Sequence, residues 1–481
     1  MDKSNFENLG ISEEVLKSLN KLGFERPSDV QRMVIPIAFE DKDIIVKAQT
    51  GSGKTAAFAI PFCEKIELEE RLPQVLVLTP TRELAIQVKE DIFNIGRFKR
   101  VRPVAIFGKQ PMNTQKLELK QRVHVIVGTP GRTLDHIQKG NINLKGIKYL
   151  VIDEADEMLN MGFIDQVESI IKLLPKDRIT MLFSATIEDK IEELCGKYMI
   201  NPVKIEVTPE SLTTETIEQV YYEVEEEKKF LLLNKIIYTE RPVSSIIFCN
   251  TKEAVDKLVG KMKNKGYSCE GLHGGMEQKD RLNAMESFRK GEFKFLIATD
   301  VAARGISVEH VSHVINYDVP MEKESYVHRI GRTGRAGNKG KSITFVSKRE
   351  FKFLETIEEY IGLKIPHGNV PSNEEVEEGK RIYDKEKGIK PKIKPHKSVE
   401  LNKGITKIHI NAGKKKKIRA LDIVGTITSI EGINPEDVGI IDIQEGFSYV
   451  DILHGKGNLV LKSLEKKTIK GKNVRVQRAM K

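Results

Sequence analysis

DIIVKAQTGSGKTAAFAIPFCEKIEL, residues 43–68, decides the fold. An apolar run too short for a helix leads through a glycine-rich turn into a longer helical periodicity, the mark of a buried strand feeding a helix in a parallel sheet. The turn itself, AQTGSGKT (48–55), has the composition of a phosphate cradle. Its glycines let backbone N–H groups face phosphate oxygens at a helix N-terminus, Lys54 adds a point charge, and the Thr55 hydroxyl can ligate Mg²⁺. Ala48 stands where the usual pattern begins with glycine, and Gln49, Thr50, Gly51, Ser52 and Gly53 complete the loop.

Outward from this unit the alternation continues. Apolar runs at 75–80, 124–129, 148–153 and 180–185 complete a first set of strands, and after a break near residue 208 a second set follows at 244–250, 293–300, 313–318 and 341–347. Two α/β domains with parallel sheets, residues 1–207 and 208–365, are expected. Residues 366–403 read as a basic linker, because KGIKPKIKPHKSVELNKG is too poor in apolar residues to pack. Residues 404–481 show the order strand, helix, strand, strand, helix, strand, which predicts a small α+β domain of ferredoxin-like βαββαβ type. A chain of 481 residues is long enough for several cores, and 39% hydrophobic with 31% charged residues suits a soluble protein. No apolar run of membrane-spanning length occurs and MDKSNFENLG lacks a signal-peptide core, so no membrane and a cytoplasmic location are expected. The four cysteines show no metal-ligand spacing. From Pro366 onward 24 Lys+Arg face 15 Asp+Glu, so nearly all of the +10 net charge lies in the tail. A local basic excess points to a polyanionic partner.

Two further stretches carry chemistry. VIDEAD (151–156) ends an apolar strand with carboxylates, where open α/β sheets place their ligands. Asp153 is positioned to hold Mg²⁺, directly or through water, and Glu154 to deprotonate an attacking water, although an acidic strand end also serves as a helix N-cap. HRIGRTGRAG (328–337) concentrates His328, Arg332 and Arg335 among glycines, and arginine recognises phosphate by a permanent, bidentate charge.

Together these motifs resemble those of the DEAD-box RNA helicases, with DEAD itself at Asp153–Asp156. The resemblance runs from about residue 4 to 360 and implies two RecA-like domains that bind ATP with Mg²⁺ and single-stranded RNA, close on one another and separate short duplexes locally. It implies roles for further residues. Phe6 and GFERPSDVQ (23–31), with Phe24 and Gln31, resemble the adenine-reading segment, since the Gln31 amide offers both a donor and an acceptor. Ser184, Ala185 and Thr186, with Asp156, resemble the motif coupling hydrolysis to strand separation. Pro80, Thr81 and Arg82, then Thr129, Pro130, Gly131 and Arg132, then Gln278 with Arg281, and Thr299 within ATDVAARG, resemble RNA-backbone and interdomain motifs that fix position without reading sequence. Arg332, Arg335 and His328 would act on the nucleotide from across a cleft. Three departures stand out. IFGKQP (106–111) replaces the usual double glycine, Ser307 the usual aspartate, and Gly275 a position where aspartate is commoner.

In the tail, EGFSYVDI (445–452) has the form of an RNA-recognition-motif strand with Glu445 and Ile452 off-pattern, and KIHINA offers His409 where a ring is expected. Alternation puts Phe447 and Tyr449 on one face, and that face is either a stacking platform or the inside of the sheet. Lys414, Lys415, Lys416, Lys417 and Arg419 offer a second, phosphate-binding surface. The whole arrangement resembles the DbpA family of bacterial helicases. That resemblance implies a monomer tethered by its RRM-like domain to a 23S rRNA hairpin, acting on pre-50S particles in ribosome biogenesis. A general RNA helicase for messenger RNA or cold adaptation, or an ATP-gated RNA clamp, fits the same motifs.

Overall fold

The computed structural model describes residues 5–49, 51–207, 216–303, 311–334, 339–386, 401–465 and 467–479. The chain divides into two compact units, one of Met1–Val207 with Pro395–Lys481, the other of Thr208–Lys394.

The first unit is built on seven parallel strands: β1 (Ile44–Lys47), β2 (Val75–Leu78), β3 (Pro103–Ile106), β4 (Val125–Gly128), β5 (Tyr149–Asp153), β6 (Ile179–Ser184) and β7 (Val203–Glu206), in the order β3-β4-β2-β5-β6-β1-β7. The interior strands β2, β4 and β5 are buried at every position, which is why they read as unbroken apolar runs. One core face gathers Val46, Phe58, Val77 and Phe183, the other Leu76, Ile126, Leu150 and Leu182.

The second unit repeats the design with β8 (Ile217–Glu223), β9 (Ser245–Phe248), β10 (Cys269–Leu272), β11 (Phe295–Ala298), β12 (His313–Asn316) and β13 (Gly340–Val346), ordered β10-β11-β9-β12-β13-β8 and all parallel. The sequence reading placed the basic linker from residue 366, but Asn373–Glu386 is a helix packed on this unit. Its Tyr383 ring meets Tyr238 and Tyr267 at centroid distances of 5.6 and 5.9 Å. Gly379 lets the two backbones approach, since a Cβ there would lie 2.3 Å from the Tyr238 carbonyl oxygen. Residues 387–400, the Lys/Pro-rich part of the linker, lie outside the described residues.

The C-terminal domain follows the expected βαββαβ order. Strands β14 (Thr406–Ile410), β15 (Val438–Ile443), β16 (Ser448–Ile452) and β17 (Val476–Arg478) form an antiparallel sheet in the order β15-β16-β14-β17. Helices Ala420–Thr428 and Gly457–Leu464 cover one face, closing a core of Ile408, Ile410, Ile423, Ile427, Val450, Ile452, Val460 and Leu464. Among the described residues no helix is long and apolar enough to cross a membrane.

Candidate active site

Strand order brings three loops together at the C-terminal edge of β5, β6 and β1. The phosphate loop after β1 starts the helix Lys54–Lys65, with Gly51 and Gly53 in left-handed conformations at φ 89° and 91°. A Cβ on Gly53 would lie 2.5 Å from Gln31 Nε2, so glycine is required twice over. Lys54 is buried and donates through Nζ to the Ala48 carbonyl at 3.1 Å. Ser52 Oγ donates to the Gln49 carbonyl, and Ser28 Oγ to the Ser52 carbonyl, both at 2.8 Å. Thr50 lies outside the described residues.

Gln31 has a structural task beyond the one its amide suggested. Its Oε1 accepts from Ser28 N at 3.0 Å in a capping box, and its Nε2 donates to the Gly53 carbonyl at 3.1 Å. The acceptor end is therefore engaged within the protein, and Gln31 ties the helix Asp29–Phe39 to the phosphate loop. Phe6 is buried and meets Phe24 edge-on at 6.1 Å, fixing the segment that precedes this cap.

At the end of β5, Glu154 sits at the N-cap of Ala155–Asn160 with φ 56° and ψ 55°, yet its side chain makes no capping bond. A glutamate held in the left-handed region without capping carries strain of a kind that clusters at functional sites. Asp153 is buried and its Oδ1 meets no hydrogen-bond donor. Burial pushes this carboxyl up to about 7, against the pull of Lys54 and with the Glu154 charge adding to the rise. An orphaned carboxylate oxygen, with the Thr55 hydroxyl in the first turn of the phosphate-loop helix, suits Mg²⁺, which takes few protein ligands and fills its shell with phosphate and water. No cluster of three His, Cys, Asp or Glu side chains among the described residues offers an all-protein metal cage. Asp156 joins β5 to β6: its Oδ2 accepts from Ala185 N and Thr186 N at 3.1 and 3.3 Å, and its own N–H donates to Ser184 Oγ at 3.1 Å.

The neighbouring half of the same sheet edge carries the basic loops. Thr81 Oγ1 caps Arg82–Ile95 by accepting from Leu84 N. Pro130 opens the helix Pro130–Gln138, and a Cβ on Gly131 would lie 3.1 Å from Gln166 Oε1. Arg132 Nη1 donates to the Gln110 carbonyl at 2.9 Å and to Gln115 Oε1 at 3.0 Å. Gln115, buried, returns its Nε2 to the Phe107 carbonyl at 2.9 Å and accepts from His136 at 3.1 Å. His136 is thus the Nε2–H tautomer with Nδ1 turned to Asn141 at 3.2 Å, and burial followed by the Arg132 charge lowers its pKa. The Gln115 node was not foreseen from sequence.

In the second unit Arg329, a buried cation, is absent from the sequence-based candidates. It binds Asp300 Oδ2 at 2.7 Å, Asn250 Oδ1 at 2.8 Å and the Asp318 carbonyl at 2.7 Å, so the loops after β9, β11 and β12 converge on one guanidinium. Its place within HRIGRTGRAG, in the last turn of the helix Lys323–Ile330, was the available signal. Arg332 is buried, with Nε donating to the His328 carbonyl at 3.2 Å. Gln278 and Arg281 are buried in the first turn of Gln278–Arg289, and Thr299 N donates to the Leu272 carbonyl. Arg335 and Ser307 lie outside the described residues.

In the C-terminal domain, Phe447, Tyr449 and His409 stand on the sheet face away from the core, half-buried, with mutual centroid distances of 5.3–5.4 Å. Core-facing positions are taken by Ser448, Val450 and Ile452, so the rings do not fill the interior. Lys407 Nζ lies 5.6 Å from the Tyr449 ring centre. Lys414–Lys417 and Arg419 are exposed, in a turn held to the β15–β16 connection by Lys414 N and Lys415 N donating to the Gln444 and Glu445 carbonyls. On the ring-bearing face Asp451 pairs with Arg97 and Asp442 with Arg102, each at 3.2 Å, within the first unit. Arg97 Nε and Asp451 Oδ1 are left without partners, which marks a contact of small net stabilisation.

Comparison with known proteins agrees with this geometry. Family models match as DEAD/DEAH box helicase over 28–194, helicase conserved C-terminal domain over 228–337 and DbpA RNA binding domain over 407–478. The chain is 56% identical over 478 residues to the ATP-dependent RNA helicase DbpA of Bacillus subtilis, covering 99% of this chain and 100% of the relative. It is 45% identical to the DEAD-box ATP-dependent RNA helicase CshA of Geobacillus kaustophilus, over 78% of this chain and 80% of that one. Among solved structures, S. cerevisiae Dbp5 bound to RNA and ADP BeF3 aligns with a TM-score of 0.72 at 35% identity, over 79% of this chain and 99% of that one. The chain belongs to the DEAD-box ATP-dependent RNA helicases and is of the DbpA type.

Proposed function

We propose that this helicase remodels short duplexes of 23S rRNA during assembly of the large ribosomal subunit, held to a ribosomal RNA hairpin by its C-terminal domain. The observation that carries this reading is the match of residues 407–478 to the DbpA RNA binding domain, in a domain whose exposed lysine turn lies beside a ring cluster outside the core. A tether raises the effective concentration of the core at nearby helices, so the tail selects the RNA while the core contacts only its backbone. The protein is proposed to act as a cytoplasmic monomer, a setting suited to its four buried free thiols.

In the catalytic cycle, the 48–55 loop and Lys54 bind the ATP phosphates, with Phe6, Phe24 and Gln31 shaping the nucleotide's other end. Asp153 and Thr55 would hold Mg²⁺, which when bound neutralises charge on the outer phosphate oxygens. Glu154 takes the proton of the attacking water, and Arg332, Arg335 and His328 act on phosphate charge. The Asp156 link to Ala185 and Thr186 lets the strand end that senses hydrolysis shift the neighbouring loop. Pro80–Arg82, Thr129–Arg132, Gln278, Arg281 and Thr299 grip the RNA backbone, and Lys414–Lys417, Arg419 and Tyr449 hold the hairpin.

The test is ATPase stimulation by a 23S rRNA fragment against a homopolymer, for the full chain and for a chain ending at residue 404. Strong preference for the fragment, lost on truncation, is expected. Equal stimulation by any RNA would replace this reading with a general RNA helicase, and absence of multiple-turnover unwinding would replace it with an ATP-gated clamp.

A further inference from the structure

Lys109 occupies a backbone conformation that glycine would fill better. Its φ is +57°, in the left-handed region that L side chains avoid, and it falls in the stretch IFGKQP, where a double glycine would be the relaxed solution. The residue is exposed, so burial of its side chain does not compensate. Its surroundings nevertheless hold it still. The carbonyl of Phe107, two residues before it, accepts from buried Gln115, and the carbonyl of Gln110, the next residue, accepts from Arg132. Phe107 is itself buried. The loop is clamped on both sides of a lysine whose side chain reaches solvent.

Where it points is set by topology. The loop follows β3, beside the loop after β4 that carries Arg132, with the loop after β2 that carries Arg82 on the far side of β4. A Cβ on Gly108 would lie 3.6 Å from Arg82 Nη2, so the Arg82 guanidinium abuts the residue preceding Lys109. Three cationic residues from three neighbouring loops therefore line one sheet edge. The Lys109 side chain makes no hydrogen bond or ion pair among the described residues.

We propose that Lys109 binds a backbone phosphate of single-stranded RNA lying along this edge, and that the strained loop exists to present it. The inference rests on the reading that Arg82 and Arg132 grip RNA there. A strained residue kept by a rigid frame is a device for presentation, because the clamped backbone sends the side chain out at the edge where a phosphate will pass. The contact is to phosphate, so it adds affinity without sequence preference.

The test uses the full chain with a labelled oligouridylate and a non-hydrolysable ATP analogue, in Lys109→Gly, Lys109→Arg and Arg82→Ala. Lys109→Gly is expected to raise the thermal midpoint while weakening RNA binding by about 5-fold and lowering the slope of log affinity against log salt by about 0.7, the signature of one lost single-strand phosphate contact. Lys109→Arg should bind as the parent does. The RNA concentration for half-maximal ATPase should rise in Lys109→Gly with the maximal rate unchanged. If Lys109→Gly binds RNA with the parental affinity and salt slope while Arg82→Ala is weakened, Lys109 is not a phosphate ligand. If both variants bind as the parent does, the assignment of RNA to this sheet edge fails with it.

Discussion

Replacing Gln115 by leucine tests whether the buried node behind the basic loops holds them in place. Gln115 is 1% exposed and makes three hydrogen bonds, to the Phe107 carbonyl at 2.9 Å, from Arg132 at 3.0 Å and from His136 at 3.1 Å. Leucine has a similar volume and satisfies none of them. Arg132 retains the Gln110 carbonyl and the Asp135 carboxylate at 3.8 Å, so its loss is partial. The Phe107 carbonyl and the His136 N–H are left buried without a partner, each costing about 1–3 kcal/mol. With the weakened Arg132 the sum is about 3 kcal/mol, a large fraction of ordinary domain stability. For a domain of this size that corresponds to a fall in thermal midpoint of about 6–12 °C.

The same variant should loosen residues 107–111, which hydrogen exchange reads directly as faster exchange of their amides. Single-stranded RNA binding with an ATP analogue should weaken by about 5- to 10-fold, since Lys109 and Arg132 lose a shared support. Gln115→Glu separates the contributions. It keeps acceptors for Arg132 and His136 but opposes a carboxylate to the Phe107 carbonyl, so RNA binding should fall between parent and leucine variant. A leucine variant with unchanged exchange at 107–111 and unchanged RNA affinity would refute the role given to the node.

Glu154→Gln should reduce steady-state ATP turnover at least ~100-fold while RNA binding with ATP persists, as expected for loss of a general base; substantial residual hydrolysis would reject Glu154 in that role. Asp156→Ala removes the acceptor for Ala185 and Thr186, so duplex separation should fall about 10-fold more than ATPase activity, a ratio of roughly 1.4 kcal/mol in coupling, and equal losses would place Asp156 in the chemistry alone. His124 accepts from Arg102 N through Nδ1, and burial lowers its pKa from 6.5 to about 4. Its proton is favoured in the unfolded chain, so stability is full above pH 6.5 and falls by about 1.4 kcal/mol per unit as pH drops toward 4. His124→Asn should flatten that part of a urea-midpoint profile, and an identical profile in the two chains would exclude it. Tyr449→Ala should weaken hairpin binding by about 1–3 kcal/mol in a C-terminal domain that remains folded, because the ring lies outside the core, and unfolding would show the ring to be structural.

What the sequence disclosed follows from burial. The expected strands were the interior ones, covered on both faces and so written as continuous apolar runs. The strands it did not disclose are β3, β7, β8 and β10, and these are the four edges of the two parallel sheets. An edge strand needs fewer apolar residues, as in VKIE with its exposed Lys204 and Glu206, or CEGL with its exposed Glu270. The helix Asn373–Glu386 escaped for a related reason: its packing face is one tyrosine and one glycine, in a segment otherwise rich in charge. The phosphate loop and the DEAD carboxylates were legible because each is contiguous in sequence. Arg329 with Asp300 and Asn250, and Gln115 with Arg132 and His136, were not. Each node joins residues from loops or helices brought together only by strand order, which hydrophobic periodicity does not encode.

Strand order also sorts the chemistry along one edge. Reading across the first sheet, the C-terminal ends of β3, β4 and β2 lead into Lys109, Arg132 and Arg82, and those of β5, β6 and β1 carry or lead into Asp153 with Glu154, Ser184 with Thr186, and Lys54. Cations that suit a polyanionic strand thus occupy one half of the edge, and the carboxylates and phosphate cradle that suit nucleotide hydrolysis occupy the other. The halves meet where β2 pairs with β5, residue for residue from Val75 with Tyr149 to Leu78 with Ile152. Both strands are fully buried there, so the junction is a stiff one. A displacement at the end of β5 therefore reaches the loop after β2 through a paired strand rather than through solvent.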